Sequence, residues 1–287
     1  MKSRLLRVCL AACAALLLAL ATACASSDEV IVGVGTTVQD SGLLDVLVDE
    51  FEEQTDYKVK AVPAGTGQLL EMGRRGDADV LLTHDPAAEE AFFADGFGIN
   101  RQLVMHNDFV VLGPVDDPVG IARAENATTA LHGIRKSELP FISRGDDSGT
   151  HKLELRLWEG LDFDPTSESW YEETGQGMGA TLQVANQRNA YTISDRGTYL
   201  ATRDSIDLVI LFEGDPRLLN VYHVMQVNPE KHPAVREDAA AAFVDFMLSD
   251  STQQLIANFG VEEFGQPLFI PDAGKTEAGV GLVERPA

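Results

Sequence analysis

The sequence predicts an α/β fold of two lobes, with two parallel-rich sheets joined by two crossover segments and a cleft between them. Three observations predict it. Short β-branched runs alternate with stretches of helical spacing along most of the chain. Long strand-like stretches bounded by Gly-Pro and Asp-Pro turns occur twice, which suits an exit from one lobe and a return to it. The 287 residues, 45% hydrophobic, are enough for two ordinary lobes.

Ahead of this body, residues 1–8 carry Lys2, Arg4 and Arg7 and no acid, and residues 9–20 form an unbroken apolar run. That is the layout of a secretory signal, and the run is too short for an ordinary membrane span. It ends in Leu20-Ala21-Thr22-Ala23-Cys24, small residues before a cysteine, which resembles a bacterial lipobox. Residues 1–23 are therefore expected to be a lipoprotein signal peptide, Cys24 the lipidated residue, and 24–29 a short tether. Localisation is expected to be extracytoplasmic and membrane-anchored.

The body opens with a strand over 30–34. Leu43, Leu44, Leu47, Val48 and Phe51 then recur at helical spacing, with Ser41 placed as N-cap. A strand over 57–62 leads through Gly65-Thr66-Gly67 into a helix over 68–75, and a strand over 78–82 into a helix over 86–94. This alternation argues for a parallel sheet with covering helices. The stretch 102–112, ending in Gly113-Pro114, reads as the crossing out. Beyond it come helices near 127–135, 148–158, 179–187 and 197–202, with strands over 140–143 and 190–194. Strands over 206–212 and 222–227, parted by Gly214-Asp215-Pro216, offer the way back. Helices over 237–248 and 252–259 would pack on the first lobe. The expected domains are lobe I over 30–112 plus 214–271, lobe II over 113–213, and a flexible tail over 272–287.

Charge and cysteine content exclude several functions. With 45 Asp+Glu against 22 Lys+Arg the net charge is −23, so a basic nucleic-acid-binding face is not expected. Removing residues 1–23 deletes three cations and no acid, which makes the mature body three charges more negative. Cys9, Cys13 and Cys24 all lie at the N-terminus, leaving the body without disulfide, Cys nucleophile or Cys-based metal site. The six His, at 84, 106, 132, 151, 223 and 232, form no i,i+3 or i,i+4 pair, so no helical metal site is signalled. No nucleophile elbow, phosphate loop or H-E-x-x-H occurs. Trp158, Trp170 and Tyr171 read as packing of the second lobe more readily than as walls of the cleft.

The most informative segment is Ser143-Arg144-Gly145-Asp146-Asp147-Ser148-Gly149-Thr150. It places a cation, glycines and hydroxyls between a strand and a helix. Unpaired N–H groups and the positive dipole end at a helix N-terminus, together with Arg and Ser/Thr donors, make an anion cradle. An ordinary capped helix, with Ser148 as N-cap and Arg144 paired to Asp146 or Asp147, fits this segment equally well. Similar junctions occur at Gly35-Thr36-Thr37, Gly65-Thr66-Gly67, Gly175 to Thr181 and Asp195-Arg196-Gly197-Thr198. Each is weak alone; convergence on one cleft would make them strong.

Several segments resemble the tungstate-binding proteins of tungstate ABC transporters, a branch of the periplasmic-binding-protein superfamily. They include Asp40-Ser41-Gly42-Leu43-Leu44, Ala64-Gly65-Thr66-Gly67-Gln68, His84-Asp85-Pro86-Ala87-Ala88-Glu89, the Ser143 to Thr150 segment, Glu173 to Thr181 and Asp195-Arg196-Gly197-Thr198-Tyr199. The resemblance extends from about Val30 to Asp272. It implies a two-lobed periplasmic-binding-protein fold of the class II type that holds a tetrahedral oxyanion, tungstate foremost, and delivers it to an ABC permease. No cofactor, resident metal or nucleic acid is implied, and the protein is expected to be a monomer. Carried over residue by residue, the donors include Arg144, Ser148, Thr150 and the Gly149 backbone N–H. The other junctions add Thr36, Thr37, Thr66, Gly179, Ala180 and Thr181. Where the family has a T-T-T-S run this chain has Val34-Gly35-Thr36-Thr37, so two hydroxyls remain.

Phosphate, molybdate and sulfate are alternative ligands of the same fold. Phosphate keeps a proton at neutral pH and benefits from an acceptor, a part open to Asp146 or Asp147. The favoured role for one of them is instead to orient Arg144, because a bare carboxylate touching a dianion costs several kcal/mol in a dry cleft. From other classes, a hydrolase would use Ser148 and His151, and a signalling or adhesion lipoprotein would bind no small anion. The primary expectation is a binding protein, not an enzyme.

Overall fold

The computed structural model describes residues 29–281. The expected signal peptide, Cys24 and the expected tether up to Asp28 lie outside the described residues, as do residues 282–287.

β1 (Glu29–Gly35) runs into a short helix, α1 (Thr36–Asp40), and then α2 (Leu43–Gln54). The N-cap position expected at Ser41 falls to Gly42, although Ser41 Oγ accepts from the Leu43 N–H at 3.4 Å. Thr36 and Thr37 already begin a helical turn, so Ser41 falls at the end of α1, where its hydroxyl donates to Val38 O at 3.0 Å. Gly42, left-handed, precedes α2 without a side-chain cap. β2 (Lys58–Ala64), α3 (Thr66–Arg75), β3 (Val80–Thr83) and α4 (Pro86–Ala94) repeat the strand-then-helix step. β1 pairs in parallel with both β2 and β3, so all three strands end at the same edge of the sheet.

β4 (Gly98–Gly113) leads into the second lobe. There follow α5 (Ala127–Ser137), β5 (Phe141–Ser143), α6 (Gly149–Glu159), β6 (Tyr171–Glu173), α7 (Met178–Arg188), β7 (Thr192–Asp195), α8 (Arg196–Thr202) and β8 (Val209–Phe212). β9 (Leu219–Val227) returns, and α9 (Glu237–Leu248), α10 (Asp250–Asn258), α11 (Val261–Phe264) and β10 (Ile270–Pro271) complete the first lobe. The fold is the two-lobed α/β architecture expected, with antiparallel strands added to the parallel ones. β9 is antiparallel to β3 and to β4, β4 to β10, and both β7 and β8 to β4, while β5 and β6 form a small parallel sheet. Except for β10 on β4, which lies wholly in lobe I, the antiparallel pairs follow from the crossings: a strand arriving from the other lobe enters the sheet from the cleft side and runs opposite to those that began behind it.

Residue alternation sorts the sheets' two faces. Val80 and Leu82 pack with Val32, Phe51, Phe243 and Met247, while Leu81 packs on the opposite side with Leu69, Phe92 and Met225. In lobe II, Phe109 and Val111 join Phe141 and Trp158, whereas Val110 and Leu112 join Leu182 and Leu208. Val104 and Met105 belong to the lobe I core, so β4 changes lobes near Asp108, a few residues before the expected boundary. Leu218 still packs in lobe II, so the return is made at the start of β9. No turn marks the outward crossing because one unbroken strand makes it. Trp158, Trp170 and Tyr171 fill the lobe II core, with Trp158 fully buried against Phe141 at 5.4 Å and Trp170 at 5.9 Å.

Arg196, at the start of α8, fastens both crossings. Its guanidinium donates to Asp108 at 2.7 and 2.6 Å and to Glu213 at 2.5 Å. Residues 272–281, expected as part of a flexible tail, are instead bound to lobe I. Asp272 is fully buried against His106, 2.5 Å away, and Lys275, 2.8 Å away. Glu277 reaches Arg101 at 2.8 Å and His223 at 3.0 Å. Apart from Lys275, their partners lie far off in sequence, so local composition gave no sign of them.

Candidate functional site

The carboxyl ends of the lobe I strands and the helix starts of lobe II face each other across a cavity of about 960 Å³. Its lining includes Thr36 and Thr37 from α1, Arg144, Gly177 to Ala180 at the start of α7, and Asp195, Gly197 and Thr198 at α8. The lobe I wall is completed by residues 258–260 and 262–264, with Glu262 and Glu263 among them. Ligands of open α/β folds sit at such strand ends.

Local sequence decides which helix starts are open to a ligand. α1, α3 and α7 are preceded by Gly35, Gly65 and Gly177, and none has a side-chain cap. Their first N–H groups are therefore not satisfied by a neighbouring acceptor. The Thr66 hydroxyl, at the start of α3, is buried with no hydrogen-bond partner among the described residues. α4 and α5, by contrast, are capped by Asp85 and Asn126.

The loop between β5 and α6 holds Arg144. Ser143 donates to Glu154 at 2.6 Å and accepts from the Gly145 N–H at 3.3 Å. The Arg144 carbonyl accepts from the Gly175 N–H at 2.8 Å and the Thr174 hydroxyl at 3.2 Å, which ties this loop to the one before α7. Gly145 has φ +60, and a Cβ there would lie 2.5 Å from Glu173 Cβ, so only glycine fits. Arg144 Nε donates to Asp146 Oδ2 at 3.1 Å, Nη2 pairs with the same oxygen, and Nη1 has no hydrogen bond among the described residues. Asp146 Oδ1 accepts from the Ser148 N–H at 3.2 Å.

These contacts separate the two acids. Burial works to raise the Asp146 carboxyl, but hydrogen bonds from Ser148 and Arg144 and the guanidinium charge outweigh it and hold Asp146 below the usual carboxylate range. Asp146 orients Arg144. Asp147 points into solvent, 3.4 Å from Lys152.

The residues expected as ligand donors do not all occupy one place. Thr36, Thr37, Arg144, Gly179 and Ala180 line the cavity together. Ser148 is the N-cap of α6, its Oγ accepting from the His151 N–H at 3.3 Å, and Thr150 is buried in the first turn. Neither they, Gly149 nor Thr66 is part of the cavity lining. Thr181 is fully buried, and its hydroxyl bonds Thr174 at 2.8 Å and Gly177 O at 3.1 Å. A helical threonine turned inward commonly bonds the preceding turn in this way.

Two side chains at the cleft carried little sequence signal. Asp195 lines the cavity and caps α8, accepting from the Thr198 N–H at 2.8 Å. Burial pushes its carboxyl up, against hydrogen bonds from Thr198 and the charge of Arg144. His84 follows β3 and packs between the two lobes, beside Gly35 and Gly149.

A model described as a PBP superfamily domain matches residues 21–251. The tungstate-binding protein TupA of Peptoclostridium acidaminophilum is 44% identical over 252 residues, covering 87% of this chain and 88% of that relative. This chain belongs to the PBP superfamily, in the family of the TupA proteins. Two solved structures agree with that placement. The TupA tungstate-binding protein of Desulfovibrio alaskensis G20 is 42% identical, with a TM-score of 0.79 over 85% of this chain and 99% of that one. A structure described as the tungstate ABC transporter of Geobacter sulfurreducens is 46% identical, with a TM-score of 0.70 over 80% of this chain and 98% of that one. Among the described residues no helix is long and apolar enough to cross a membrane, and no group of His, Cys, Asp and Glu is arranged to hold a metal ion.

Proposed function

We propose that this chain is the substrate-binding component of an ABC transporter, that it captures a tetrahedral oxyanion between its lobes, and that the oxyanion is tungstate. The observation that carries the reading is Arg144. It stands in the cleft, oriented by Asp146, opposite Thr36 and Thr37 and beside the uncapped start of α7. A fully deprotonated oxyanion asks for donors alone, and these groups are donors. The Asp195 carboxylate also lines the cavity, but Thr198 already engages it. The names of the relatives support tungstate over other anions of the same shape.

Binding without catalysis belongs to this reading. A serine hydrolase needs its base on the nucleophile, but His151 Nδ1 accepts from the Asp147 N–H at 3.1 Å and Ser148 Oγ caps the helix. The protein would act outside the cytoplasm as a monomer, held to the membrane by lipid on Cys24, and would hand its anion to a permease. Replacing Cys24 by Ser should release it from the membrane fraction.

The deciding experiment is calorimetric titration of residues 25–287 with tungstate, molybdate, sulfate and phosphate. Tungstate should bind most tightly, with molybdate next. Equal or tighter binding of phosphate or sulfate would overturn the assignment.

A further inference from the structure

His84 stands where the two lobes meet. A Cβ built on Gly35, the residue before α1, would lie 2.9 Å from its Cδ2, and one built on Gly149, the first residue of α6, 2.7 Å from its Cε1. Real Cβ atoms do not come that close to a ring. Neither glycine has the positive φ that would call for glycine on conformational grounds, so both serve close approach. The imidazole is thus seated between a helix start of lobe I and a helix start of lobe II.

The ring is firmly based. On one side of it Thr83 donates to Glu89 at 2.8 Å, and on the other the Asp85 N–H donates to the same oxygen at 3.0 Å. Glu89 is fully buried and is itself held by Arg101 at 3.0 Å and His223 at 2.9 Å. Tyr222 backs the imidazole, with ring centroids 5.2 Å apart, and Asn220 fixes the Tyr222 hydroxyl at 2.7 Å. Desolvation holds His84 below the usual imidazole range, helped by Arg156 and opposed by the charges of Glu89 and Asp85.

From this geometry we infer that His84 is a positioning residue that sets the separation of the two lobes' anion donors, and through it the size of oxyanion preferred. The inference rests on the oxyanion reading above. α1 carries Thr36 and Thr37, and α6 is joined directly to the Arg144 loop, so the thickness of one imidazole fixes how far those groups stand apart. Tetrahedral oxyanions of one charge differ mainly in radius, so a rigid spacer discriminates between them where added donors would not.

The test is a double-substitution cycle of wild type, His84→Ala, Gly149→Ala and the pair, read by calorimetry with tungstate and sulfate and by thermal unfolding without anion. Gly149→Ala should weaken tungstate binding about tenfold or more, because its methyl meets the ring. The pair should bind more tightly than Gly149→Ala alone, since the three atoms nearest that methyl all belong to the His84 ring. His84→Ala should raise the affinity for sulfate relative to tungstate. Unfolding should show the same coupling, confirming that the variants fold and that the contact exists. Additive effects on binding, or an unchanged sulfate-to-tungstate ratio in His84→Ala, would overturn the inference while wild type still binds tungstate. Wild type that binds none of the anions would sink the functional reading and the spacer with it.

Discussion

Arg144 depends on its immediate neighbours more than on its own charge. One edge of the guanidinium is held by Asp146, and its backbone carbonyl by Thr174 and Gly175. Removing the side chain should abolish tungstate binding, while Arg144→Lys, a point charge without the fork, should leave it weakened. Gly145→Ala should be nearly as damaging although it removes no donor, because the new Cβ meets Glu173 and the positive φ disfavours it. Calorimetry on folded variants checks both, and a Gly145→Ala protein that binds like wild type would contradict the loop-support account. At this scale the sequence was partly legible. The cation, the glycines and the cap at Ser148 are local chemistry. The choice between Asp146 and Asp147 is not, because it depends on which carboxylate the turn points at Arg144.

At the level of elements, α6 is bound to the site by Glu154, a buried carboxyl accepting from Ser143, Trp158 at 3.0 Å and Tyr171 at 2.8 Å. Burial pushes Glu154 up to about 7, against the pull of those three hydrogen bonds. A carboxyl raised on folding gives stability that is complete below its unfolded value and lost as pH rises through the folded one. The loss is about 3 kcal/mol between the two limits. Thermal melts of wild type and Glu154→Gln should therefore shift in favour of the variant between about pH 5 and pH 8. Parallel curves would show that Glu154 does not titrate there. Strand and helix positions were largely readable, since period-two and helical spacing need only neighbouring residues. β6 was missed: its three residues, Tyr171–Glu173, are too short for a period and are defined by pairing with β5.

For the whole molecule the net charge of −23 must coexist with an anion site. Arg144 and helix-start N–H groups act over a few ångströms, whereas exposed acids are screened over about 10 Å at 0.1 M salt. Even the cavity wall carries Glu262 and Glu263, so local donors, and not the overall field, must hold the ligand. The same excess of acid destabilises the compact chain by self-repulsion. Melting temperature should therefore rise on adding sodium chloride from low ionic strength, and the on-rate for a dianion should rise as well. A melting temperature that falls with salt would show that ion pairs such as Arg196 with Asp108 and Glu213 dominate instead.

By itself the sequence determined the order of elements, the two lobes, the absence of cysteine chemistry from the body, and the loop that carries Arg144. Each of these is written in residues a few positions apart, within reach of a helical turn, a strand's alternation or a cap. Only the tertiary structure decided that β4 crosses between lobes unbroken, that Thr181 turns inward, and that Asp272 and Glu277 fasten the chain's end to His106 and His223. It alone set His84 between Gly35 and Gly149. These are contacts between residues brought together by sheet order and lobe packing, and no local pattern specifies a distant partner.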